Sequence, residues 1–131
     1  MIFPDTSIWI EFFKKHDPYF KILKLNIEIN NIISHELIFA ELLQGAKSLR
    51  EFNIISEYWH NINKIDTFGS LIDGGSYSFK ANLINKGIGL IDSVLIASTI
   101  KSDLKFWTLD KKIIKFIDKN KLFSVSDSNA L

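Results

Sequence analysis

The sequence predicts an α/β fold in which a mostly parallel sheet is covered by helices on both faces. Short apolar segments that suit buried strands alternate with longer segments that suit helices. The chain has 131 residues, of which 47% are hydrophobic, which is enough apolar surface for one core. No repeat, low-complexity segment or Pro/Gly-rich linker divides it, so we expect a single domain over residues 1–131.

In the N-terminal half, the opening MIFPD is predicted to form a short buried strand. Thr6 or Ser7 can then cap a helix that runs to about Phe13. Asp17-Pro18 is typical of a helix start, and the helix after it covers YFKILKL. A second strand in NNIIS precedes a helix through HELIFAELLQGA that ends near Gly45. The apolar spacing of SLREFNIISEYWHNI predicts another helix.

In the C-terminal half, a third strand is predicted in KIDTF. The segment SLIDGGSYSFKANLINKG is expected to be helical with a break near Gly74-Gly75, since glycine pairs favour turns. DSVLIASTIKS is predicted to be a helix, LKFWTL a strand, KKIIKFIDK a helix and LFSVS a last strand. Ligands of such folds bind at the carboxyl ends of the strands, which is where Asp5 falls.

Composition and charge exclude several classes of protein. Without cysteine the chain can form neither a disulfide framework nor a thiolate metal site. It has no apolar run of ~18–20 residues and no signal-peptide pattern, so we expect a soluble, cytoplasmic protein that does not bind membranes. Net charge is only +1, but seven lysines face three aspartates between Lys101 and Lys121. Such a stripe either holds phosphates or is a solvated helix face.

Four carboxylates occupy positions that solvation alone does not explain. Asp5 and Asp110 each follow a predicted strand and precede a helix, so each is either a ligand at the sheet edge or a helix N-cap. Glu41 is the one polar residue in the apolar run 37–43, and we expect it to be buried unless it occupies a solvent-facing slot. Asp92 precedes Leu95 and Ile96 by one helical turn and is expected over the inward face or as a cap.

Together these four acids predict a metal site at one edge of the sheet. Like charges in one cleft repel each other, and a divalent cation removes that repulsion. A donor set made only of oxygen suits Mg²⁺, and Mn²⁺ is also suitable. Without these four acids the chain has 16 basic and 11 acidic residues, a net charge of +5. A cationic surface around an acidic metal pocket suits a phosphodiester substrate.

Four segments resemble the acidic motifs of PIN-domain nucleases, and most closely those of VapC-type ribonuclease toxins. They are MIFPDTSIWIEFF, ISHELIFAELLQGA, GLIDSVLIAST and FWTLDKKI, in that order. By this resemblance Asp5, Glu41, Asp92 and Asp110 are the catalytic, metal-binding acids, with polar support from Thr6, Ser7 and Thr108. The chain departs from a simple phosphate-binding pattern in having no basic residue directly after Asp92.

The resemblance implies a three-layer α/β/α sandwich and a Mg²⁺-dependent endoribonuclease, often acting on transfer RNA or other structured RNA. It also implies a homodimer and inhibition by a small cognate antitoxin protein. Two alternatives remain at the level of the sequence. One is a non-catalytic module of the same fold that binds protein or RNA, and the other is a metal-dependent nuclease that acts on DNA, since no motif here reads a 2′-hydroxyl.

Overall fold

The structure, a computed structural model, describes residues 1–128, so the end of the predicted domain (129–131) lies outside the described residues. Its strands are β1 (Ile2–Pro4), β2 (Ile33–Ser34), β3 (Asn63–Lys64) and β4 (Lys105–Trp107). β1 pairs with β4 and β2 pairs with β3, both in parallel, and a parallel bridge between Ile2 and Ile32 joins the two pairs. The strand order is therefore β3-β2-β1-β4, as predicted for a parallel α/β fold.

Helices connect the strands and supply most of the core. They are α1 (Thr6–Phe13), α2 (Tyr19–Glu28), α3 (Glu36–Gln44), α4 (Leu49–Asn61), α5 (Ser70–Ala81), α6 (Leu90–Lys101), α7 (Lys111–Phe116) and α8 (Val125–Ser128). The core is strongly aromatic: Phe3 of β1 and Phe106 of β4 meet edge to face, and Trp9 of α1 packs on Phe39 of α3. Within residues 1–128, no helix combines the length and apolar character needed to cross a membrane.

The middle of helix α6, residues 93–99, lies in the interior, whereas Leu90 and Ile91 at its start are exposed. Val94, Leu95 and Ile96 are almost fully buried, and the buried hydroxyls of Ser93 and Thr99 donate to carbonyls one turn earlier in the same helix. Buried polar groups are tolerated when they are hydrogen-bonded, so these hydroxyls do not oppose burial. A rigid central helix fixes the position of any residue in its first turn.

The predicted break of α5 at Gly74-Gly75 is wrong, because the helix continues through both glycines. A Cβ on Gly74 would lie 2.4 Å from Val94 Cγ2 and 2.6 Å from Val94 Cα, so the two helices approach each other backbone to backbone at this point. A Cβ on Gly75 would be 4.0 Å from Leu90 Cδ1. Gly74 therefore serves helix packing rather than a turn.

Three other boundaries differ from the predictions. Asp5, rather than Thr6 or Ser7, is the N-cap of α1, because its longer acceptor side chain reaches the amide of Ile8 at 3.3 Å. Strand β3 ends at Lys64, so most of KIDTF follows it. The last predicted strand, LFSVS, is reduced to one bridge between Leu122 and Phe106, and its end enters α8.

Candidate active site

The strand order brings the two predicted strand-end acids to neighbouring positions. β1 and β4 are adjacent and parallel although 100 residues of chain (5–104) lie between the end of β1 and the start of β4, so the strand order reverses between them. The amide of Asp5 donates to the carbonyl of Trp107 at 2.9 Å, which aligns the carboxyl ends of both strands. Open parallel sheets bind ligands at such a switch point.

Asp5 is buried, with 7% of its surface exposed, and both oxygens of its carboxylate accept hydrogen bonds. Oδ1 accepts hydrogen bonds from the Ser7 hydroxyl (2.5 Å) and the Ile8 amide (3.3 Å), and Oδ2 accepts from the Thr108 hydroxyl (2.5 Å). Burial raises the pKa of Asp5, and the hydrogen bonds from Ser7 and Thr108 lower it in part. A buried carboxylate whose charge is only partly compensated suits a nearby cation.

The same hydroxyls connect Asp5 to the loop that carries Asp110. Thr108 Oγ1 accepts from the Asp110 amide at 3.0 Å, and Ser7 Oγ accepts from the Leu109 amide at 3.2 Å. Asp110 is the N-cap of α7, with Oδ1 accepting from the Lys112 amide at 2.8 Å. The cap interpretation of Asp5 and Asp110 is therefore observed, and it leaves part of each carboxylate available for a second role.

Glu41 is exposed, so the expectation that it is buried is wrong. The inward face of α3 consists of Ile38, Phe39 and Leu42, and Glu41 lies beside that face in the solvent-facing slot that was the alternative. It is nevertheless held toward the site, because the Thr6 hydroxyl donates to Glu41 Oε1 at 3.0 Å. Thr6 follows Asp5 directly, so this contact places Glu41 at the start of α1.

Asp92 is half-buried in the first turn of α6, and the structure contradicts the idea that it caps this helix. The N-cap is Gly89, and no side chain completes the cap. Burial raises the pKa of Asp92, and the negative charges of Asp110, Asp5 and Glu41 raise it further in that order. Asp92 thus lies within electrostatic reach of all three other predicted acids.

The donor chemistry of this group suits a hard divalent cation, since it consists of carboxylates and supporting hydroxyls. Across the described part of the chain, however, no three Asp, Glu, His or Cys side chains are gathered closely enough to enclose a metal ion. The residues fit Mg²⁺ by type and by mutual repulsion, and a bound ion would require their carboxyl groups to draw together.

The lysine stripe does not form one surface. Lys101 pairs with Asp73 at 3.4 Å and Lys121 pairs with Asp103 at 2.6 Å. A third member, Lys105, donates to the backbone carbonyl of Asn120. Much of the stripe is thus used in local contacts, which favours the alternative of solvated faces for these residues.

Lys112 is the basic residue that the sequence interpretation did not single out. Its positive charge lowers the pKa of Asp92 against the effect of the three carboxylates. Its side chain reaches the loop before α6, which no spacing along the sequence suggests. The available signal was its position two residues after Asp110, at the start of a helix.

Comparisons with known proteins agree with the predicted family. The family described as PIN domain matches residues 2–119. VapBC2 from Rickettsia felis, bound to a DNA fragment from its promoter, shares the fold with a TM-score of 0.70 and 23% identity over 95% of this chain and 98% of that chain. A toxin-antitoxin complex from Klebsiella pneumoniae gives a TM-score of 0.70 and 17% identity over 94% and 100%.

FitAcB from Neisseria gonorrhoeae is similar with a TM-score of 0.55 and 18% identity, covering 86% of this chain and 89% of that chain. At these identities the structural similarity shows a shared fold. A search of curated proteins gives no match. The three-layer α/β/α class predicted from the sequence is confirmed by these neighbours, and the predicted resemblance to PIN-domain proteins is confirmed by the family match.

Proposed function

We propose that this chain, which belongs to the PIN domain family, is a Mg²⁺-dependent endoribonuclease that acts in the cytoplasm as the toxin of a toxin–antitoxin pair. One observation carries the proposal. Four carboxylates from four separate segments of the chain lie near the switch point of a parallel sheet, and the negative charges of the other three add to burial in raising the pKa of Asp92. Asp5 and Asp110 also serve as helix N-caps, but repulsion among four neighbouring carboxylates destabilises the fold unless a cation compensates it.

Each acid has a distinct place in the proposed site. Asp5 and Asp92 would bind Mg²⁺ directly, Glu41 directly or through water, and Asp110 would complete the site; Mn²⁺ would be accepted in the same place. When bound, such an ion activates a water molecule and stabilises charge on phosphoryl oxygens. The protein itself supplies no nucleophile in this scheme, and its carboxylates position the reacting groups.

Thr6, Ser7 and Thr108 would orient these carboxylates. Ser7 and Thr108 each donate to one oxygen of Asp5 and so fix the orientation of its carboxylate, and Thr6 holds Glu41 toward the start of α1. Fixing a ligand through a second residue saves the conformational entropy that its side chain would otherwise lose on binding. The three hydroxyls therefore prepare the site before the ion or the substrate arrives.

The proposed substrate is RNA, in particular transfer RNA or another structured RNA. The support is the family resemblance together with the excess of basic charge that remains outside the acidic site. The positive charge outside the acidic site would attract a phosphodiester backbone. The backbone would approach the carboxylates only where their negative charge is compensated. Cleavage of DNA, or binding without cleavage, is an outcome that the experiment below distinguishes.

An antitoxin protein is the proposed partner, and a groove beside the site is suited to it. The groove has a volume of about 500 Å³ and lies between α1, α2, α3 and α4. Its apolar wall includes Phe13, Phe20 and Tyr58, and one end is formed by Thr6 and Glu41. A segment bound there would reach the acidic site, and similar folds are found in complexes named VapBC2 and toxin-antitoxin complex.

We also propose that two copies associate through the outer face of α5. Ile72 and Phe79 lie two helical turns apart on the same face of this helix. They are 79% and 87% exposed. Phe68, just before the helix, is 92% exposed, and Leu90 of α6 continues the surface. Large apolar side chains exposed on one face mark a contact surface. Sedimentation of wild type against Phe79→Ser and Ile72→Ser would test this, and an unchanged mass for all three would contradict it.

The test of the proposed activity is to sequence the ends of RNA and DNA incubated with the purified protein, with Mg²⁺ and with a chelator. We expect defined internal RNA ends with Mg²⁺, no new ends with chelator, and no ends with Asp92→Asn. New ends in DNA alone would show that the substrate is DNA rather than RNA. Binding of RNA without cleavage would identify a non-catalytic binding module. Cleavage that survives the chelator would contradict the metal-dependent scheme.

A further inference from the structure

Lys112 lies close to the acidic site by geometry, although the sequence places it in a run of surface lysines. Gly87, with a φ of 74°, opens the loop that leads into α6. A Cβ on Gly87 would be 3.4 Å from Lys112 Cδ and 3.5 Å from its Nζ, so the lysine stem and its ammonium lie across this glycine. The positive φ favours glycine at this position, and these distances are those of ordinary van der Waals contact.

The first turn of α6 that follows this loop carries Asp92. The Lys112 backbone is fixed as well, because its amide donates to Asp110 Oδ1. The ammonium is thus held between the segments of two of the four acids. Its charge lowers the pKa of Asp92, which independently places it within electrostatic reach of that carboxylate.

Within residues 1–128, the Lys112 ammonium is not within ion-pair distance of any carboxylate, in contrast to Lys101 and Lys121. A lysine beside a group of acids can still bind another anion when its ammonium is not paired with any of their carboxylates. Lys111, its neighbour on the same helix, is also exposed but is not among the charges that shift the pKa of Asp92.

We propose that Lys112 binds a phosphate of the RNA substrate at the rim of the four-carboxylate site and so positions the bond to be cut. The inference rests on the proposed function and adds to it the residue that holds the substrate phosphate. The chain has no basic residue directly after Asp92 that could take this role. Lysine suits this role as a compact charge that phosphate oxygens approach from several directions.

Three measurements test the role, and the third is expected to show tighter binding where the first shows weaker binding. In Lys112→Met the KM for RNA cleavage should rise about tenfold, the loss of one charge-assisted hydrogen bond. The salt dependence of log(kcat/KM) should become shallower by about 0.7, the value for one phosphate contact on a single strand. The affinity for Mn²⁺, measured by calorimetry without RNA, should instead increase about threefold, because a repelling charge has been removed.

Lys111→Met is the matched control, and Lys112→Arg tests rescue. We expect Lys111→Met to behave as wild type in all three measurements and Lys112→Arg to restore most of the KM. If Lys112 only stabilised α7, Lys112→Met would lower the Tm and weaken Mn²⁺ and RNA binding together. That result would overturn the proposal. So would equal kinetics for Lys112→Met and Lys111→Met. If the wild type cleaves no RNA, the proposed function fails first, and the role of Lys112 fails with it.

Discussion

The hydroxyl of Thr108 donates to Asp5 Oδ2 at 2.5 Å, across 103 residues of sequence. The contact exists because β1 and β4 are neighbours in the sheet, and it fixes the orientation of the one buried acid of the site. The same oxygen of Thr108 accepts from the Asp110 amide, so a single side chain relates two of the four carboxylates.

Replacing Thr108 by valine should therefore weaken the site more than the fold. Thr108→Val keeps the shape but removes both hydrogen bonds, and we expect metal affinity to fall about 10–100-fold, as for other residues that orient a ligand. The free energy of unfolding should fall by about 1 kcal/mol. Mn²⁺ titration and urea unfolding measure the two effects. Thr108→Ser, which keeps the hydroxyl, should recover most of the affinity, and failure to do so would contradict the positioning role.

Asp92→Asn should stabilise the metal-free protein at neutral pH while abolishing cleavage. Because the pKa of Asp92 is raised in the folded protein, its contribution to stability is fully present below the unfolded pKa of 3.8 and is lost as pH rises through the folded pKa. At pH 7 the charged side chain is thus destabilising, and the neutral amide relieves this. Thermal unfolding with chelator measures the change in Tm.

Glu36→Gln is the control for that experiment, since Glu36 also lies in the first turn of a helix but is exposed and outside the site. It should leave the Tm equal or slightly lower, because a first-turn carboxylate interacts favourably with the helix N-terminus. A lower Tm for Asp92→Asn than for Glu36→Gln would mean that Asp92 has a stabilising structural role.

The two adjacent glycines of α5 should respond in opposite directions to alanine. Gly74→Ala places a methyl group 2.6 Å from Val94 Cα, and we expect a loss of about 1–3 kcal/mol because backbone must move. Gly75→Ala has room, and a helical alanine should add about 0.5–1 kcal/mol. Denaturant unfolding of both variants gives the comparison, and equal effects would contradict the close approach of α5 and α6.

His35 should make the protein less stable in mild acid. It is buried, its Nδ1 accepts from the Leu37 amide as the N-cap of α3, and its Nε2 is 3.0 Å from the Ser70 hydroxyl. Burial lowers its pKa below 6.5, and the nearby charge of Glu36 opposes this in part. The unfolded chain therefore takes up a proton first, and stability is lost as pH falls from 6.5 through the folded pKa.

The measurement is the free energy of unfolding from pH 7.5 to pH 5.5, for wild type and for His35→Asn, which keeps a capping acceptor. The wild type should lose stability more steeply over this interval than the variant. His60→Asn, at an exposed position of α4, should follow the wild type. Parallel curves for all three proteins would show that His35 does not titrate differently in the folded state.

The placement of Asp5 and Asp110 could be predicted from the sequence because strand ends and helix starts are local features. The patterns around Asp5 and Asp110 each combine a short apolar strand with a helix start, and parallel strands bring such positions to one edge. Asp92 was correctly expected over an inward face, since Leu95 and Ile96 are buried.

What could not be predicted depends on contacts between distant segments. The exposure of Glu41 depends on which side of α3 faces α1, and the unbroken α5 depends on Val94, twenty residues from Gly74. Lys112 lies in a lysine-rich run of the sequence. Only the contact of its side chain with Gly87 distinguishes it from Lys111. The last predicted strand is not formed, because Leu122 is the one residue of LFSVS that bridges to β4.

The central claim is that Asp5, Glu41, Asp92 and Asp110 jointly hold a divalent cation. Its most direct test is a crystal of the protein soaked in Mn²⁺, measured at a wavelength where manganese scatters anomalously. The account predicts an anomalous peak bounded by carboxylate oxygens of Asp5 and Asp92, with Glu41 and Asp110 adjacent. A well-ordered site without a peak, with the four side chains directed into separate regions, would contradict it.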